Sequence, residues 1–414
     1  MTIERLLILA ATACGAATCI CISAWAAEAK PKAGLLTRRG SELFMDGKPY
    51  RAVGVNKYDL GVQFIRGEAH REKAIQAIED TAKHGFKVIR FNASGWYPSD
   101  LKLWPSDEYW QRMDELFAAA RKAGVRLVPV LIGCSYQFTD LAGETMRDML
   151  TDKDSKSRQY CDLYIHQFVS RYKGDSSLLF WELWSELNLG ADLEFMRPYG
   201  FVELNVVAEG TAPARVRRDN YTTDEMIPFI RDLAQLVRST DPDHLISSGH
   251  SIPRPAAQHL RLARGKGDWT MDSPKEAETY IRDTHPDPID LISIHFYNFF
   301  EDNIRFGNKD RESAVALAEL KRIADRIGKP ILIGEAGGQA FDNPTGAVPP
   351  FSRSIIEEAV KADYPIIIWW MSSFEDQLRF ELDKTPQLNK MLLEADRELN
   401  KRATAAGTKS ESER

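Results

Sequence analysis

The chain has 414 residues, of which 43% are hydrophobic and 28% are charged, and it is long enough for one large α/β barrel or two smaller domains. Its 54 basic and 60 acidic residues are well mixed and leave a formal net charge of −6. Because the chain has no basic stripe and no acidic block, its composition does not indicate a nucleic acid or another strongly charged macromolecule as a partner.

The first 26 residues differ in character from the rest. A short basic start that ends at Arg5 precedes an apolar run, and Ala24-Trp25-Ala26 supplies an A-x-A cleavage pattern. This pattern predicts a signal peptide over residues 1–26, which makes the mature protein secreted or periplasmic, without stable membrane insertion. An uncleaved membrane anchor is the alternative, because the apolar run is nearly long enough to cross a bilayer. Residues 27–35 then form a polar linker.

Three of the five cysteines lie inside the predicted signal peptide, and Cys134 and Cys161 remain. In an oxidising compartment these two could pair, but buried free thiols fit their surroundings equally well. No Cys/His cluster has the spacing of a zinc site, so we predict neither a metal ion nor a cofactor.

From residue 36 to residue 401, strand-like and helix-like segments alternate. Eight short apolar runs predict strands at 50–56, 87–92, 126–132, 178–185, 244–248, 289–295, 330–334 and 365–370. Helical spacing of apolar residues predicts helices at 71–84, 107–123, 155–172, 224–239, 274–283, 312–327, 352–362 and 385–399. Such alternation implies parallel strands, and eight units predict a single-domain (β/α)8 TIM barrel of the α/β class. A doubly wound open sheet is the alternative fold, but no Gly-rich phosphate loop follows the first strand.

Four segments lie outside this alternation. A hairpin-like start with a turn at Asp46-Gly47 is predicted to plug the bottom of the barrel. Long loops follow the fourth and fifth strands, at 187–221 and 249–288, on the face where barrel sites are built. Residues 402–414 are small and charged and predict a disordered tail.

Two of the predicted strands run into a glutamate. The string WELWSE ends at Glu186, and the string ILIGEA contains Glu335. A carboxylate is costly to bury, and parallel neighbours in a barrel would bring both glutamates to the same mouth. Two carboxyl groups that face one cleft can cleave a glycosidic bond. One protonates the leaving oxygen, and the other attacks the anomeric carbon or activates water.

Other strand ends add four functional side chains, namely Arg90, His295, Tyr297 and Trp370. A guanidinium and a phenol would hold the pKa of a nucleophilic carboxyl group down, whereas burial against apolar walls would raise the pKa of an acid. An indole offers a flat apolar face to a pyranose ring. Taken singly, each side chain could serve an ion pair or the core, but together they predict one site.

At these positions the chain resembles the cellulase-like glycoside hydrolases of family 5, in the retaining (β/α)8 clan that includes endoglucanases and endo-β-mannanases. The matching motifs are Gly54-Val55-Asn56, Val88-Ile89-Arg90, Trp181-Glu182-Leu183-Trp184-Ser185-Glu186, Asp241-Pro242-Asp243-His244-Leu245-Ile246, His295-Phe296-Tyr297, Gly334-Glu335 and Trp370. The resemblance implies double displacement on a β-1,4-linked oligo- or polysaccharide of mannan or glucan type. It also implies carboxyl groups about 5 to 5.5 Å apart.

The resemblance also assigns roles to single residues. Glu186 is the implied general acid/base, and Glu335 is the implied nucleophile. Arg90 and Tyr297 are expected to orient Glu335. His295 is expected to border the site near Glu186, and Trp370 to form the floor of the sugar pocket.

One substrate-binding position departs from the family pattern. Ser185 precedes Glu186 where the family has asparagine, whose amide donates to the sugar 2-hydroxyl. Serine is shorter, so a catalytically weak carbohydrate-binding barrel is the alternative function. A phosphate-handling barrel is a third reading, for which Gly337-Gly338 gives a faint signal without a nearby basic residue. The sequence leaves open which glycan is cleaved, endo or exo action, and the oligomeric state.

Overall fold

The structure is a computed structural model that describes residues 33–194, 209–297, 313–337, 348, 350–370 and 385–412. The predicted signal peptide and most of the predicted linker lie outside the described residues. No helix within the described part of the chain combines the length and apolar character that crossing a bilayer needs.

A small antiparallel sheet at the amino terminus closes one end of the molecule. It contains β1 (Leu36–Arg39), β2 (Glu42–Met45) and β3 (Lys48–Pro49), and the predicted turn at Asp46-Gly47 joins the last two. Leu36 and Leu43 are buried against the apolar residues at the amino ends of the barrel strands. The hairpin therefore plugs the bottom of the barrel, as the sequence predicted.

Within the described residues, eight parallel strands form the barrel, and all eight overlap the predicted strands. They are β4 (Ala52–Asn56), β5 (Val88–Asn92), β6 (Arg126–Ile132), β7 (Trp181–Trp184), β8 (Ile246–Ser247), β9 (Ile292–Phe296), β10 (Ile331–Ala336) and β11 (Ile366–Trp369). Consecutive strands pair, and β11 pairs with β4. A parallel bridge between Ser247 and Leu291 joins β8 to β9 and completes the circle. The predicted (β/α)8 barrel is confirmed.

Helices surround the barrel and pack on its outer face. They are α1 (Leu60–Arg66), α2 (Glu68–Lys83), α3 (Pro98–Leu101), α4 (Asp107–Ala123), α5 (Gln137–Ala142), α6 (Met146–Thr151), α7 (Lys156–Tyr172), α8 (Thr223–Thr240), α9 (Ala257–Leu262), α10 (Pro274–Thr284), α11 (Ser313–Ile327), α12 (Pro350–Lys361) and α13 (Pro386–Ser412). The eight predicted helices are present. The short helices α1, α3, α5, α6 and α9 were not predicted, because pieces of four to seven residues carry little periodic signal.

Side chains on each strand alternate between the interior and the helices. On β9, Ile292, Ile294 and Phe296 belong to the outer apolar cluster, whereas Leu291, just before the strand, belongs to the cluster inside the lower barrel. Above that apolar layer the interior is polar and buried, with side chains from Asn56, Arg90, Glu182, Ser293 and His295. A barrel with an apolar lower half and a polar upper half places its chemistry at the carboxyl ends of the strands.

The prediction of a disordered tail at 402–414 is wrong over most of its length. Helix α13 continues to Ser412, Ala403 is buried, and the Nη1 atom of Arg402 donates to the carbonyl oxygen of Val360 over 3.1 Å. The segment is rich in alanine, the strongest helix former, so a docked helix can extend into it. The partly buried Cys134 and the buried Cys161 do not form a disulfide with each other.

Candidate active site

Arg90 hydrogen-bonds to several other residues of the polar layer inside the barrel. Its Nε atom donates to Glu182 over 2.7 Å, and its Nη1 atom donates to Glu335 over 2.7 Å and to Asn56 over 2.9 Å. Burial by itself would lower the pKa of Arg90, but the charges of Glu182 and Glu335 outweigh it and raise that pKa above its usual range. Arg90 therefore remains a cation that neutralises two buried carboxylates.

A β-bulge in β10 directs Glu335 into the barrel. Ile333 pairs with Ile294, but Glu335 pairs with His295, so Gly334 is the extra residue on this strand. Ile333 packs outward against the helices, and plain alternation would send Glu335 to the same outer face. The bulge reverses that direction and places the Glu335 carboxylate inside the mouth.

Gly334 is the residue that the bulge requires. A Cβ atom at this position would lie 2.9 Å from Oγ of Ser293 and 3.2 Å from Nε2 of His295. Both contacts are closer than carbon normally approaches these groups, so a larger residue would displace the side chains around the site.

Two donors hold the carboxylate of Glu335. Arg90 donates to Oε1, and the hydroxyl of Tyr297 donates to Oε2 over 2.5 Å. Burial and the charge of Glu335 raise the pKa of Tyr297 well above 10, so the phenol keeps the proton that it donates. Both contacts are charge-assisted hydrogen bonds, and together they fix the orientation of this carboxyl group.

Glu186 lies two residues beyond the end of β7 in a left-handed backbone conformation, with φ 60° and ψ 28°. A non-glycine residue in this region carries about 1 kcal/mol of strain or more, which its surroundings must offset. Its backbone N–H donates to the carbonyl of Gly249 over 2.9 Å. The side chain is 34% exposed at the mouth, yet the protein atoms packed around the carboxyl group raise its pKa above the usual value.

His295 connects the two glutamates. Its Nδ1 atom lies 2.8 Å from Oε1 of Glu186 and 3.4 Å from Oε1 of Glu335. Burial lowers the pKa of His295 to about 4, so the ring is neutral at pH 7. Its Nε2 atom has no hydrogen-bond partner among the described residues. We therefore assign the proton to Nδ1, which donates to Glu186.

The two candidate carboxyl groups face each other across a short gap. One atom each of Glu186, His295 and Glu335 lie within 4.8 Å of one another. The prediction that two glutamates from distant parts of the chain meet at one rim therefore holds in the geometry.

Aromatic rings form one wall beside the carboxyl groups. Trp370 is half-buried at the end of β11, and its ring centroid lies 5.3 Å from that of Tyr58, which in turn lies 5.3 Å from that of Trp96. The guanidinium of Arg90 lies 5.1 Å from the centre of the Tyr58 ring. Such a wall offers flat apolar surface to the C–H face of a pyranose.

Ser185 lies at the edge of this arrangement. Its Oγ atom is 3.5 Å from Nη2 of Arg90, at the limit of a hydrogen bond, and its backbone N–H donates to the carbonyl of Ile132 over 3.0 Å. The structure thus brings every predicted site residue together around one opening.

Sequence reasoning assigned no role to three members of the site, Asn56, Tyr58 and Glu182, although Asn56 and Glu182 lie in the motifs that match the family. Glu182 was the easiest of the three to detect, because it is a carboxylate inside an otherwise apolar strand. Asn56 ends the first barrel strand, as Arg90 nearly ends the second. Tyr58 follows β4 in a connecting segment and carried no distinguishing signal.

Two clusters of described residues bring three possible metal ligands together. They are Glu186, His295 and Glu335 in the barrel mouth, and His259, Asp272 and Glu276 on the loop after β8. In the mouth, Arg90 already occupies an oxygen of Glu335. On the loop, Asp272 accepts backbone N–H groups at the start of α9. Because protein donors already use these oxygens, we assign a metal to neither cluster.

A barrel whose strand ends gather two carboxyl groups, a guanidinium and a neutral imidazole has the architecture of a barrel glycosidase. Residues 49–375 match the cellulase family, glycosyl hydrolase family 5. The chain belongs to this family of glycoside hydrolases.

Curated relatives are similar in sequence to this chain over most of its length. Mannan endo-1,4-beta-mannosidase 8 of Oryza sativa subsp. japonica is 24% identical over 362 residues, which cover 80% of this chain and 85% of the relative. Mannan endo-1,4-beta-mannosidase 3 of Arabidopsis thaliana is 22% identical over 422 residues, covering 88% and 90%. Within the family, the chain is therefore mannanase-like.

Solved structures share the fold. An endo-1,4-beta-mannanase from Rhizomucor miehei superposes with a TM-score of 0.59 at 16% identity, covering 88% of this chain and 99% of that one. An exo-beta-1,4-mannosidase from Opitutaceae bacterium strain TAV5 superposes with a TM-score of 0.55 at 16% identity, covering 91% and 63%.

Proposed function

We propose that this chain is a retaining glycosidase that cleaves β-1,4-linked glycans, with mannans as the leading substrates. In this proposal Glu335 is the nucleophile and Glu186 is the general acid/base. The observation that carries it is the close approach of the two carboxyl groups at one mouth, where one oxygen of Glu186 and one of Glu335 lie within 4.8 Å of each other. Inverting enzymes need about 6.5 to 9.5 Å between carboxyl groups to admit a water molecule, whereas retaining enzymes need about 5 to 5.5 Å.

The first displacement uses the different surroundings of the two glutamates. Glu335, held as an anion by Arg90 and Tyr297, attacks the anomeric carbon while the glycosidic C–O bond breaks. Glu186, whose pKa is raised by burial, enters this step protonated and gives its proton to the leaving oxygen. The products are a glycosyl ester on Glu335 and a free leaving-group hydroxyl.

The second displacement reverses these roles. Glu186 is now a carboxylate and takes a proton from a water molecule, whose oxygen attacks the anomeric carbon and releases Glu335. His295 donates from Nδ1 to Glu186 and can stabilise the carboxylate between the two steps. Two inversions at the same carbon give net retention of configuration.

Mannans lead the list of substrates because the curated relatives from rice and Arabidopsis are mannan endo-1,4-beta-mannosidases. The half-buried Trp370, which packs against the Tyr58 ring next to Arg90, supports a pyranose substrate. Endo and exo action give different products from the same mannan, so the product pattern decides between them.

The test is hydrolysis of a panel of β-mannans and β-glucans by the natural protein and by three Glu→Gln variants, with product anomers followed by NMR. We expect the β-anomer to form first. E335Q should lower kcat by about 10⁴-fold, and E186Q by about 10² to 10⁴-fold on polysaccharide. The control is Glu357→Gln, at an exposed glutamate on α12, which should leave activity unchanged. Initial formation of the α-anomer, or full activity in either site variant, would exclude the mechanism.

A catalytically weak carbohydrate-binding barrel is the second candidate, because Ser185 stands where the family amide contacts the 2-hydroxyl. Calorimetric binding of mannooligosaccharides without turnover, together with turnover in Ser185→Asn, would favour this candidate. Saturable hydrolysis by the natural protein would exclude it.

We also propose export of the chain, from the signal-peptide pattern in its sequence. Amino-terminal sequencing of the protein recovered from the medium or periplasm should start just after Ala26. Recovery of the full-length chain with membranes would favour the uncleaved anchor.

A further inference from the structure

Ser293 and His295 lie two residues apart on β9, and their side chains share the inner face of the barrel. Both residues are buried. The hydroxyl of Ser293 and the Nε2 atom of His295 have no hydrogen-bond partner among the residues that the structure describes. Buried polar groups are nearly always hydrogen-bonded, so two such atoms side by side indicate a partner that they share.

Gly334 on the neighbouring strand β10 shows how close these two atoms are. A Cβ atom at Gly334 would lie 2.9 Å from Oγ of Ser293 and 3.2 Å from Nε2 of His295. The two polar atoms are therefore no more than about 6 Å apart, a distance that one water molecule with a hydrogen bond to each can span. Because residue 334 is glycine, no methyl group projects between them.

We propose that a water molecule binds between the Ser293 hydroxyl and Nε2 of His295, and that Ser293 acts through it as a positioning residue for His295. The water accepts the hydroxyl hydrogen of Ser293 and donates one of its own to Nε2. This inference rests on the function proposed above, because it gives Ser293 a part in holding the hydrogen bond between His295 and the acid/base Glu186.

A donor at Nε2 and the carboxyl groups at Nδ1 favour the same tautomer of His295. A neutral imidazole has one donor nitrogen and one acceptor nitrogen. A donor at Nε2 makes that nitrogen the acceptor, and the proton then stays on Nδ1, 2.8 Å from Oε1 of Glu186. In the other tautomer, the lone pair of Nδ1 would face Glu186 and also Oε1 of Glu335, which is 3.4 Å away. Ser293 therefore helps to keep a donor on Glu186, which stabilises its carboxylate once the proton has left.

The first test is the 15N NMR spectrum of the protein with labelled histidine rings, which needs no turnover. The His295 signals are identified by their loss in His295→Gln, and we expect a protonated Nδ1 and an unprotonated, hydrogen-bonded Nε2. Ser293→Ala removes the hydroxyl, and Gly334→Ala places a methyl group between the two atoms. Both variants should move the Nε2 signal toward that of a nitrogen without a hydrogen bond. A crystal structure should show the water within about 3.2 Å of both atoms.

The second test is the dependence of Ser293→Ala on the leaving group. The kcat/KM value for mannooligosaccharides, whose leaving group needs a proton from Glu186, should fall about 3- to 10-fold. The kcat/KM value for a dinitrophenyl glycoside, whose leaving group departs without a proton, should stay unchanged. A merely structural role of Ser293 would lower both values alike.

Ser352→Ala is the matched control, because Ser352 is fully buried on α12 and its hydroxyl has no partner among the described residues. It should change neither the His295 signals nor either kcat/KM value. Unchanged 15N signals in Ser293→Ala would refute the inference, and so would a proton on Nε2 in the natural protein or an equal loss on both substrates. Inactivity of the natural protein on every glycan would instead refute the proposed function, and the NMR test of the water site would still stand.

Discussion

The buried arginine offers the sharpest test of how this site is held together. Arg90 has no exposed side-chain surface and makes 2.7 Å contacts with both Glu182 and Glu335, whose side chains are 0% and 7% exposed. Arg90→Met keeps a side chain of similar length and removes the cation. The variant leaves two carboxylates in the barrel interior without a compensating positive charge.

The expected loss of stability follows from that geometry. Removing one partner of a fully buried ion pair costs about 3 to 5 kcal/mol, because the remaining charge cannot be solvated. For a chain of this size, such a loss lowers the melting temperature by roughly 4 to 6 °C. Hydrolysis should be abolished as well, since Glu335 loses one of its two donors.

The double variant Arg90→Met/Glu182→Leu separates the two effects. Removing the carboxylate that takes no part in the proposed reaction should recover about 1 to 3 kcal/mol of stability, while activity stays lost. Arg158→Met is the control, because Arg158 is also buried but its partners Asp162 and Asp232 are 38% and 21% exposed. That variant should lose only about 1 kcal/mol and remain active.

Thermal unfolding followed by circular dichroism, together with a reducing-sugar assay, measures both outcomes for these variants. A single Arg90→Met variant that unfolds at the natural temperature would refute the account of a charge-balanced barrel interior. Full activity in that variant would remove Arg90 from the site.

Gly334→Ala should lower kcat/KM on mannan about tenfold or more, because the added methyl group meets Ser293 and His295; unchanged kinetics would show that the bulge is not needed. Ser185→Asn should raise kcat/KM up to about tenfold if one hydrogen bond to the substrate is missing, and a decrease would show that the site is adapted to serine. Burial lowers the pKa of His250 to about 3, so below pH 6.5 the unfolded chain binds a proton that the folded chain excludes, and stability falls as the pH falls. In His250→Leu, the fall in the free energy of unfolding between pH 6.5 and 5, measured by urea unfolding, should be smaller by up to about 2 kcal/mol than in the natural protein. An unchanged pH dependence would exclude His250 as the source of this fall.

Local pattern was enough to predict the barrel and most of the helices around it. Strands buried on both faces must be apolar throughout, and surface helices must be apolar on one side, so both leave readable patterns. Helix α4 and strand β6 begin and end at the predicted residues. The glutamates, Arg90 and His295 were detectable because charged or titratable groups at the ends of apolar strands are conspicuous. The composition of the last residues was misleading, since docking of α13 outweighed it.

The tertiary structure alone decided which way the functional groups face and what holds them. Alternation from Ile333 places Glu335 on the outer face, and only the bulge at Gly334, visible through pairing with β9, turns it inward. The left-handed backbone of Glu186 depends on Gly249, which approaches it only after the chain has passed through α8 and β8. Sequence periodicity describes a residue relative to its near neighbours. A one-residue change of register and a contact between distant segments are set by packing across strands, and they leave no periodic trace in the sequence.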